Sequence, residues 1–203
     1  MASKDRILRL KEETRTNILG ASLQIVKEDG WQALSMRKIA DVIEYTAPII
    51  YEYFANKEAI LLELSRQGYL LLSKDLEEAK SKHRLPAKQL EAMWVAYWNF
   101  AFANKELYQG MFGVSTNCCC EMVNTLPEAG KPWEMFSEII GELMGVEDMD
   151  SDVICTKYYT FWSVVHGLIS INLLSRGSSD EINRQVLRDA ISGIINTLKP
   201  QTA

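Results

Sequence analysis

Between Ser35 and Glu58 the apolar positions Ile39, Ala40, Ile43, Ile50 and Phe54 fall at helical spacings on either side of a polar break, Glu44-Tyr45-Thr46. Side chains three and four residues apart share a helix face, so this stretch predicts two short helices joined by a tight turn. Ser35 can cap the first helix. Thr46 can cap the second, over about residues 47–54, and Pro48 lies in its first turn, where a missing N–H costs little. Two helices so joined form a helix-turn-helix, which can offer its second helix to the major groove of DNA. Two packed helices without a nucleic-acid role would show the same periodicity.

The pattern continues as helices on both sides. Residues 12–29 predict a helix with Ile18, Ala21, Leu23, Ile25 and Val26 inward and Gly30 as its stop; Trp31 and Leu34 follow in a short connection. Asn56 caps a long helix carried towards Lys80 by Ile60, Leu61, Leu64, Tyr69 and Leu72. Pro86 opens a helix apolar over much more than one stripe, as expected of one buried inside a domain. A shorter helix starts at Glu106, residues 113–131 are expected to be irregular because of Gly113, Pro127 and Gly130, and Trp133 to Met144 is helical again. Asp152 to about Ser175 and the stretch from Ser179 or Asp180 onward, the latter with Ile182, Val186, Ala190, Ile191, Ile194 and Leu198 on one face, predict an antiparallel pair joined near Gly177.

Composition agrees with an all-α fold. The chain has 203 residues and is 47% apolar, with Gly 11 and Pro 5 dispersed, and no β-type alternation lasts. The expected organisation is an N-terminal three-helix domain over 1–57, which holds the helix-turn-helix, and a larger helical domain over 58–203. No apolar run reaches the 18 or so residues of a membrane span, and the charged start MASKDRILRLKEETR is unlike a signal peptide; a cytoplasmic protein is expected. The net charge of −5 looks wrong for a DNA binder until it is divided. Residues 1–57 hold nine Lys/Arg against eight Asp/Glu, and Lys4, Arg6, Arg9 and Lys11 make a basic N-terminal arm in which they face only Asp5. Such asymmetry permits contact with phosphate without establishing it.

The string Arg37-x-Ile39-Ala40, then Thr46, then Tyr51-x-Tyr53-Phe54-x-Asn56-Lys57-Glu58, resembles the DNA-binding signature of the TetR family of bacterial transcriptional regulators. The resemblance runs from about Thr14 to Leu62 without a gap. Glu44 departs from it, standing where the family usually has a glycine in the turn. Glycine reaches positive φ without steric cost and glutamate does not, so the turn is where a difference is expected. The recognition helix offers Ala47, Pro48 and Ile49, which can touch thymine methyls but cannot form bidentate base contacts. Glu52 could accept from cytosine N4 or be a solvated or intramolecularly paired carboxylate. Base readout therefore leans on Arg37, the N-terminal arm, main-chain groups and DNA shape. For Tyr51, Tyr53 and Lys57 the resemblance implies phosphate contact, with packing the alternative for Tyr53; Lys57 stands beside free backbone donors at a helix start.

A second resemblance covers roughly residues 95–175. Ala96-Tyr97 through Phe100-Ala101, Leu107-Tyr108, Met111-Phe112-Gly113, and Trp162 with His166-Gly167 are similar to the WHG-type ligand-binding domain of some TetR-family regulators. It implies a small-molecule effector and dimerisation through the final two helices. Candidate pocket residues are Trp94, Trp98, Phe102, Met111, Phe112, Tyr158, Trp162 and His166, a set rich in aromatics and suited to an apolar or planar ligand. Each could equally be core, and His166 could be a buried histidine satisfied by one hydrogen bond. Candidate interface residues are Val165, Ile169, Leu173, Val186, Ala190 and Ile194, with Ser170, Ser192 and Gly193 allowing close approach. Both stripes could instead face the chain's own core.

Cys118-Cys119-Cys120 points in three directions and lacks a C-x-x-C or nearby histidine, so no metal site is expected; incidental thiols or redox sensing remain. No catalytic motif is present, and neither an enzyme nor a cofactor is expected. The expected function is a homodimeric DNA-binding transcriptional regulator, a repressor by resemblance, released from a double-stranded operator by an effector. The alternative is a helical interaction or ligand-binding module without DNA affinity.

Overall fold

Ser35 and Asn56 act where the pattern puts them. The Ser35 hydroxyl accepts from the Lys38 backbone N–H at 3.2 Å, and the Asn56 side-chain oxygen accepts from that of Ala59 at 2.8 Å. Each satisfies one of the orphan donors at a helix start. The computed structural model describes residues 2–113 and 125–198. Among these residues every regular element is helical: α1 (Ala2–Asp29), α2 (Met36–Val42), α3 (Ala47–Tyr53), α4 (Lys57–Ser81), α5 (Pro86–Ala103), α6 (Lys105–Phe112), α7 (Pro127–Met144), α8 (Asp152–Leu173) and α9 (Asp180–Asn196), with a 3-10 turn at Trp31–Ala33. The all-α expectation holds. No helix among the described residues is long and apolar enough to cross a membrane. Cys118-Cys119-Cys120 lies outside the described residues.

The chain divides into two compact units. The first runs to Gln67 and takes in α6 from Glu106; the second holds α4 from Gly68, α5, and α7 to α9. The division expected at residue 57 falls instead inside α4, which is continuous, and α6 joins the first unit.

In the first unit α1 packs on α2 and α2 on α3. Ile18, Ile25, Ile39, Ile50 and Ile60 are each 2% exposed or less, with Trp31, Leu34 and Phe54 beside them. The arm expected before residue 12 is helix from Ala2, because Lys, Arg, Leu and Glu are strong helix formers. Residues 4–13 are exposed throughout. Near the core end of α1, Arg15 bridges three elements: its guanidinium lies 4.5 Å from the centre of the Phe54 ring and 3.2 Å from the Glu63 carboxylate. Arg66 grips the same carboxylate at 2.8 Å, so the end of α3 is tied to α1 and α4 by charge as well as packing.

The second unit is built around Trp94. Phe136 of α7 stacks on its ring at 3.9 Å between centroids and Phe161 of α8 stacks at 5.5 Å. Trp94, Phe136 and Phe161 are fully buried. Helix α7 starts at Pro127, six residues before the expected Trp133, and includes Gly130 and the buried Pro132. Proline at the first position of a helix gives up only a donor that has no partner there, so Pro127 starts this helix rather than breaking it.

The chain reverses between α8 and α9 at Ser175, which has φ +56°, and not at the expected Gly177. Arg176 N–H donates to Ile171 O at 3.1 Å and Ser175 N–H to Asn172 O at 2.9 Å, the two bonds of a Schellman motif. Gly177 serves a different need: a Cβ there would run into the Asn172 amide. Asn183, 5% exposed, locks the turn by donating to Asn172 Oδ1 at 2.6 Å and Ser178 O at 3.0 Å.

Candidate nucleic-acid interface and effector domain

Glu44, the departure in the turn, adopts the geometry that glycine would. Its φ is +58°. Its N–H donates to Asp41 O at 3.4 Å and Tyr45 N–H donates to Ala40 O at 2.9 Å, again a Schellman motif. The helix-turn-helix is therefore closed as the pattern requires, at a cost of about 1–2 kcal/mol for a left-handed residue bearing a Cβ. Thr46 occupies the N-cap of α3 with extended backbone, but its side chain makes no capping bond. The hydroxyl is thus left exposed at the head of α3.

Helix α3 is anchored on one side only. Ile50 is fully buried and Phe54, which follows the helix, is 4% exposed. The other side is open: Thr46, Pro48, Tyr51 and Glu52 are exposed, Tyr51 to 54%, while Ala47, Ile49 and Tyr53 are half-buried. Arg37 at the start of α2 is exposed. Lys57 is half-buried, and its ammonium donates to Trp31 O at 3.4 Å, which holds it against the body of the unit with two donors remaining. Sequence reasoning missed two neighbours. Val42 and Tyr45, flanking the turn, are 46% and 40% exposed; large side chains at a turn with no helical stripe to join were the available signal. Lys38, by contrast, is occupied by Asp29 at 2.7 Å.

The pocket candidates fall into two groups. Trp94, Trp98, Phe102, Tyr158, Trp162 and His166 belong to the second unit, while Met111 and Phe112 belong to the first. Met111 is buried there, and the Phe112 ring lies 4.7 Å from that of Tyr108. In the second unit Trp94 is core, with its indole N–H buried and unpartnered among the described residues. Burial holds the Tyr158 hydroxyl protonated far above the usual tyrosine range. Trp162 donates to Tyr97 Oη at 3.2 Å and stacks on His166 at 4.7 Å; burial depresses the His166 pKa below its usual value, favouring the neutral ring. Trp98 and Phe102 face each other at 4.7 Å and line a cleft with Asn99, Asn172, Asp180 and Arg184. No grouping of three or more metal-ligating side chains occurs among the described residues.

The interface candidates need correction. Val165 and Ile169 are fully buried in their own subunit and cannot meet a second copy, and Leu173 is half-buried. On α8 the exposed apolar side chains are Val153, Tyr159, Val164 and Ile171; on α9 they are Ile182 and Val186. Ala190 and Ile194 are half-buried, and Gly193 is exposed. The inward face of α9 is Asn183, Leu187, Ile191 and Ile195. The two helices thus each carry a second apolar face turned away from their own core.

An exposed second helix of a helix-turn-helix, followed by a helical domain, defines the class: a helix-turn-helix regulator. Residues 18–64 match the profile of bacterial regulatory proteins, tetR family, and residues 90–190 match that of the tetracyclin repressor-like C-terminal domain. The chain belongs to the TetR family. It is 25% identical over 101 residues, 50% of this chain and 54% of the relative, to an uncharacterized HTH-type transcriptional regulator of Haemophilus influenzae. The match thus spans about half the length of that curated relative. The fold is shared with a protein of unknown function from Rhodococcus sp. RHA1 (TM-score 0.75, 20% identity, 90% of this chain and 94% of that one). It is also shared with Thermus thermophilus FadR, a TetR family transcriptional repressor in complex with lauroyl-CoA (TM-score 0.58, 17% identity, 91% and 92% covered).

Proposed function

We propose that this chain is a homodimeric, cytoplasmic DNA-binding regulator, a repressor, whose α3 enters the major groove of a double-stranded operator and whose affinity is set by a small apolar or aromatic effector in the helical C-terminal domain. The observation that carries it is the one-sided anchoring of α3, with Ile50 fully buried and Tyr51 next to it 54% exposed. Arg37, Thr46, Pro48 and Tyr51 form the exposed contact set, with Ala47 and Ile49 reaching thymine methyls; Tyr53 and Lys57 sit at its buried edge. One short helix reads only a few base pairs, so two copies related by a two-fold axis are required, with half-sites about one helical turn apart or a multiple of it. The outward faces of α8 and α9 supply the surface for that pairing. In this reading Val164 and Ile171 replace Val165 and Ile169, while Leu173, Val186, Ala190 and Ile194 keep their assignment. The bound effector changes the spacing of the two recognition helices; a 100-fold preference for the non-binding arrangement shifts the equilibrium by about 2.7 kcal/mol.

Retardation of duplex DNA selected from the source genome tests the proposal. Affinity should fall steeply as salt rises, since phosphate contacts release counterions, and Lys57→Ala should weaken all sequences alike. Absence of any salt-dependent retardation would favour a helical ligand-binding or interaction module, and a Lys57→Ala effect confined to one base position would overturn the phosphate role.

A further inference from the structure

The aromatic cleft at the end of α5 has an opposite wall of unusual composition. Its volume is about 220 Å³. Trp98 and Phe102, one turn apart on α5, supply one side, and Phe102 is 41% exposed. Asp180 and Arg184, one turn apart on α9, supply the other, with Asn99 and Asn172 completing it. Asn172 is occupied, accepting from Asn183 and donating to Leu168 O at 2.8 Å. Among the described residues the side chains of Asp180, Arg184 and Asn99 have no hydrogen-bond or ion-pair partner. Asp180 and Arg184 even stand at the i,i+4 spacing at which opposite charges on a helix join, yet they do not.

One free cation, one free anion, a free amide and an aromatic wall are complementary to a zwitterion bearing an apolar group. A lone carboxylate would face Asp180 and a lone amine would face Arg184; only a molecule with both charges satisfies both. We propose that this cleft binds an aromatic α-amino acid. The carboxylate meets the fork of Arg184. The ammonium pairs with Asp180, and the ring lies against Trp98 and Phe102. Drug-sized pockets span about 300–1,000 Å³, so the smaller volume here limits the ligand to one ring and its charged head. Ile182 and Val186 each lie two residues from these charges, about 160° around the helix, so pairing through that face leaves the cleft open. The regulatory consequence rests on the effector reading above; the binding itself does not.

Titration of L-phenylalanine into the full-length protein, followed by calorimetry and tryptophan fluorescence, tests the assignment against phenethylamine and 3-phenylpropionate, each lacking one charge. L-Phenylalanine should saturate at least ten-fold more tightly than either. Arg184→Gln should weaken phenylalanine at least ten-fold and spare phenethylamine; Asp180→Asn should weaken phenylalanine and spare 3-phenylpropionate. Both side chains are exposed, so neither variant removes packing. No saturable binding of phenylalanine, or binding that both variants leave unchanged, would overturn the proposal. Phenylalanine that binds as described but leaves duplex retardation untouched would overturn the effector reading and keep the cleft assignment.

Discussion

Helix α3 has seven residues and buries one of them, Ile50, whereas α5 has eighteen and buries seven, including two tryptophans. Both carry aromatic side chains, but Trp94, Tyr97, Trp98 and Phe102 of α5 meet other rings, whereas Tyr51 of α3 faces outward and Tyr53 sits at the edge. The difference separates two jobs. A helix that buries seven side chains contributes stability, and its fully buried residues such as Trp94 are unavailable to a partner. A helix held by one isoleucine and a following phenylalanine contributes little stability and keeps its surface for contact. Substitutions in the two helices should therefore register in different measurements.

The strongest contrast is between Trp94→Ala and Tyr51→Ala. Emptying the space between Phe136 and Phe161 should cost about 3–5 kcal/mol of unfolding free energy, read from urea or thermal melts. Tyr51→Ala should change stability by less than about 0.5 kcal/mol while reducing duplex affinity at least ten-fold. Equal losses of stability would mean that α3 is core like α5, and the comparison would break.

The pairing surface comes next. Val186→Glu places an unpaired charge where two copies are proposed to meet, at a site 45% exposed in the single chain. Sedimentation should show monomers at concentrations where the parent is dimeric, a loss of roughly 3 kcal/mol in association, with the monomer's helicity intact. Leu187→Glu, one residue on and 3% exposed, should instead unfold the second unit.

That pair of neighbours also shows what the sequence could and could not reveal. The helix-turn-helix was legible because each apolar residue has one job and each cap a recognisable side chain. The aromatic richness of α5 was legible for the same reason. On α9 the single expected face divides: Ile182 and Val186 are exposed, whereas Ile191 and Leu198 are buried together with the polar Asn183, so hydrophobicity alone does not separate the two sides of the helix. A polar residue satisfied by a turn two helices share cannot be told from a surface one by type. Val165 and Ile169 read as interface because a single stripe does not say whose core it enters. The start of α7 was missed because Pro127 and Gly130 read as punctuation, though proline at a helix start is not a break. The cleft charges Asp180 and Arg184 looked like an ordinary helix start.

Within the first unit, Glu63 links α3 to its neighbours. Its hydrogen bonds to Arg66, then the charges of Arg66 and Arg15, hold its pKa below the usual 4.5 against a smaller opposing effect of burial. A depressed carboxylate pKa gives stability that is fully present above the unfolded value and lost as pH falls through the folded one. Glu63→Gln should cost about 1–2 kcal/mol near neutral pH. It should also flatten the acid limb of the stability curve below about pH 4.5. An acid limb of unchanged steepness in the variant would assign that titration to other carboxylates.

The smallest effect tests the turn that sets α3 in place. Glu44 holds φ +58° while exposed, so its side chain imposes strain without packing in return. Relief of about 1–2 kcal/mol on Glu44→Gly is offset by the greater freedom glycine loses on folding, about 0.5–1 kcal/mol. The net expectation is a gain of roughly 0.5–1 kcal/mol. Glu44→Ala keeps the Cβ and should gain nothing. If the Schellman bonds fix the turn, duplex affinity should change less than two-fold in both variants, because α3 keeps its direction. A stabilised Glu44→Gly with much weaker DNA binding would instead mean that the carboxylate, placed between Val42 and Tyr45 at the edge of the contact face, takes part in recognition, and the cost of its left-handed backbone would then be tied to function.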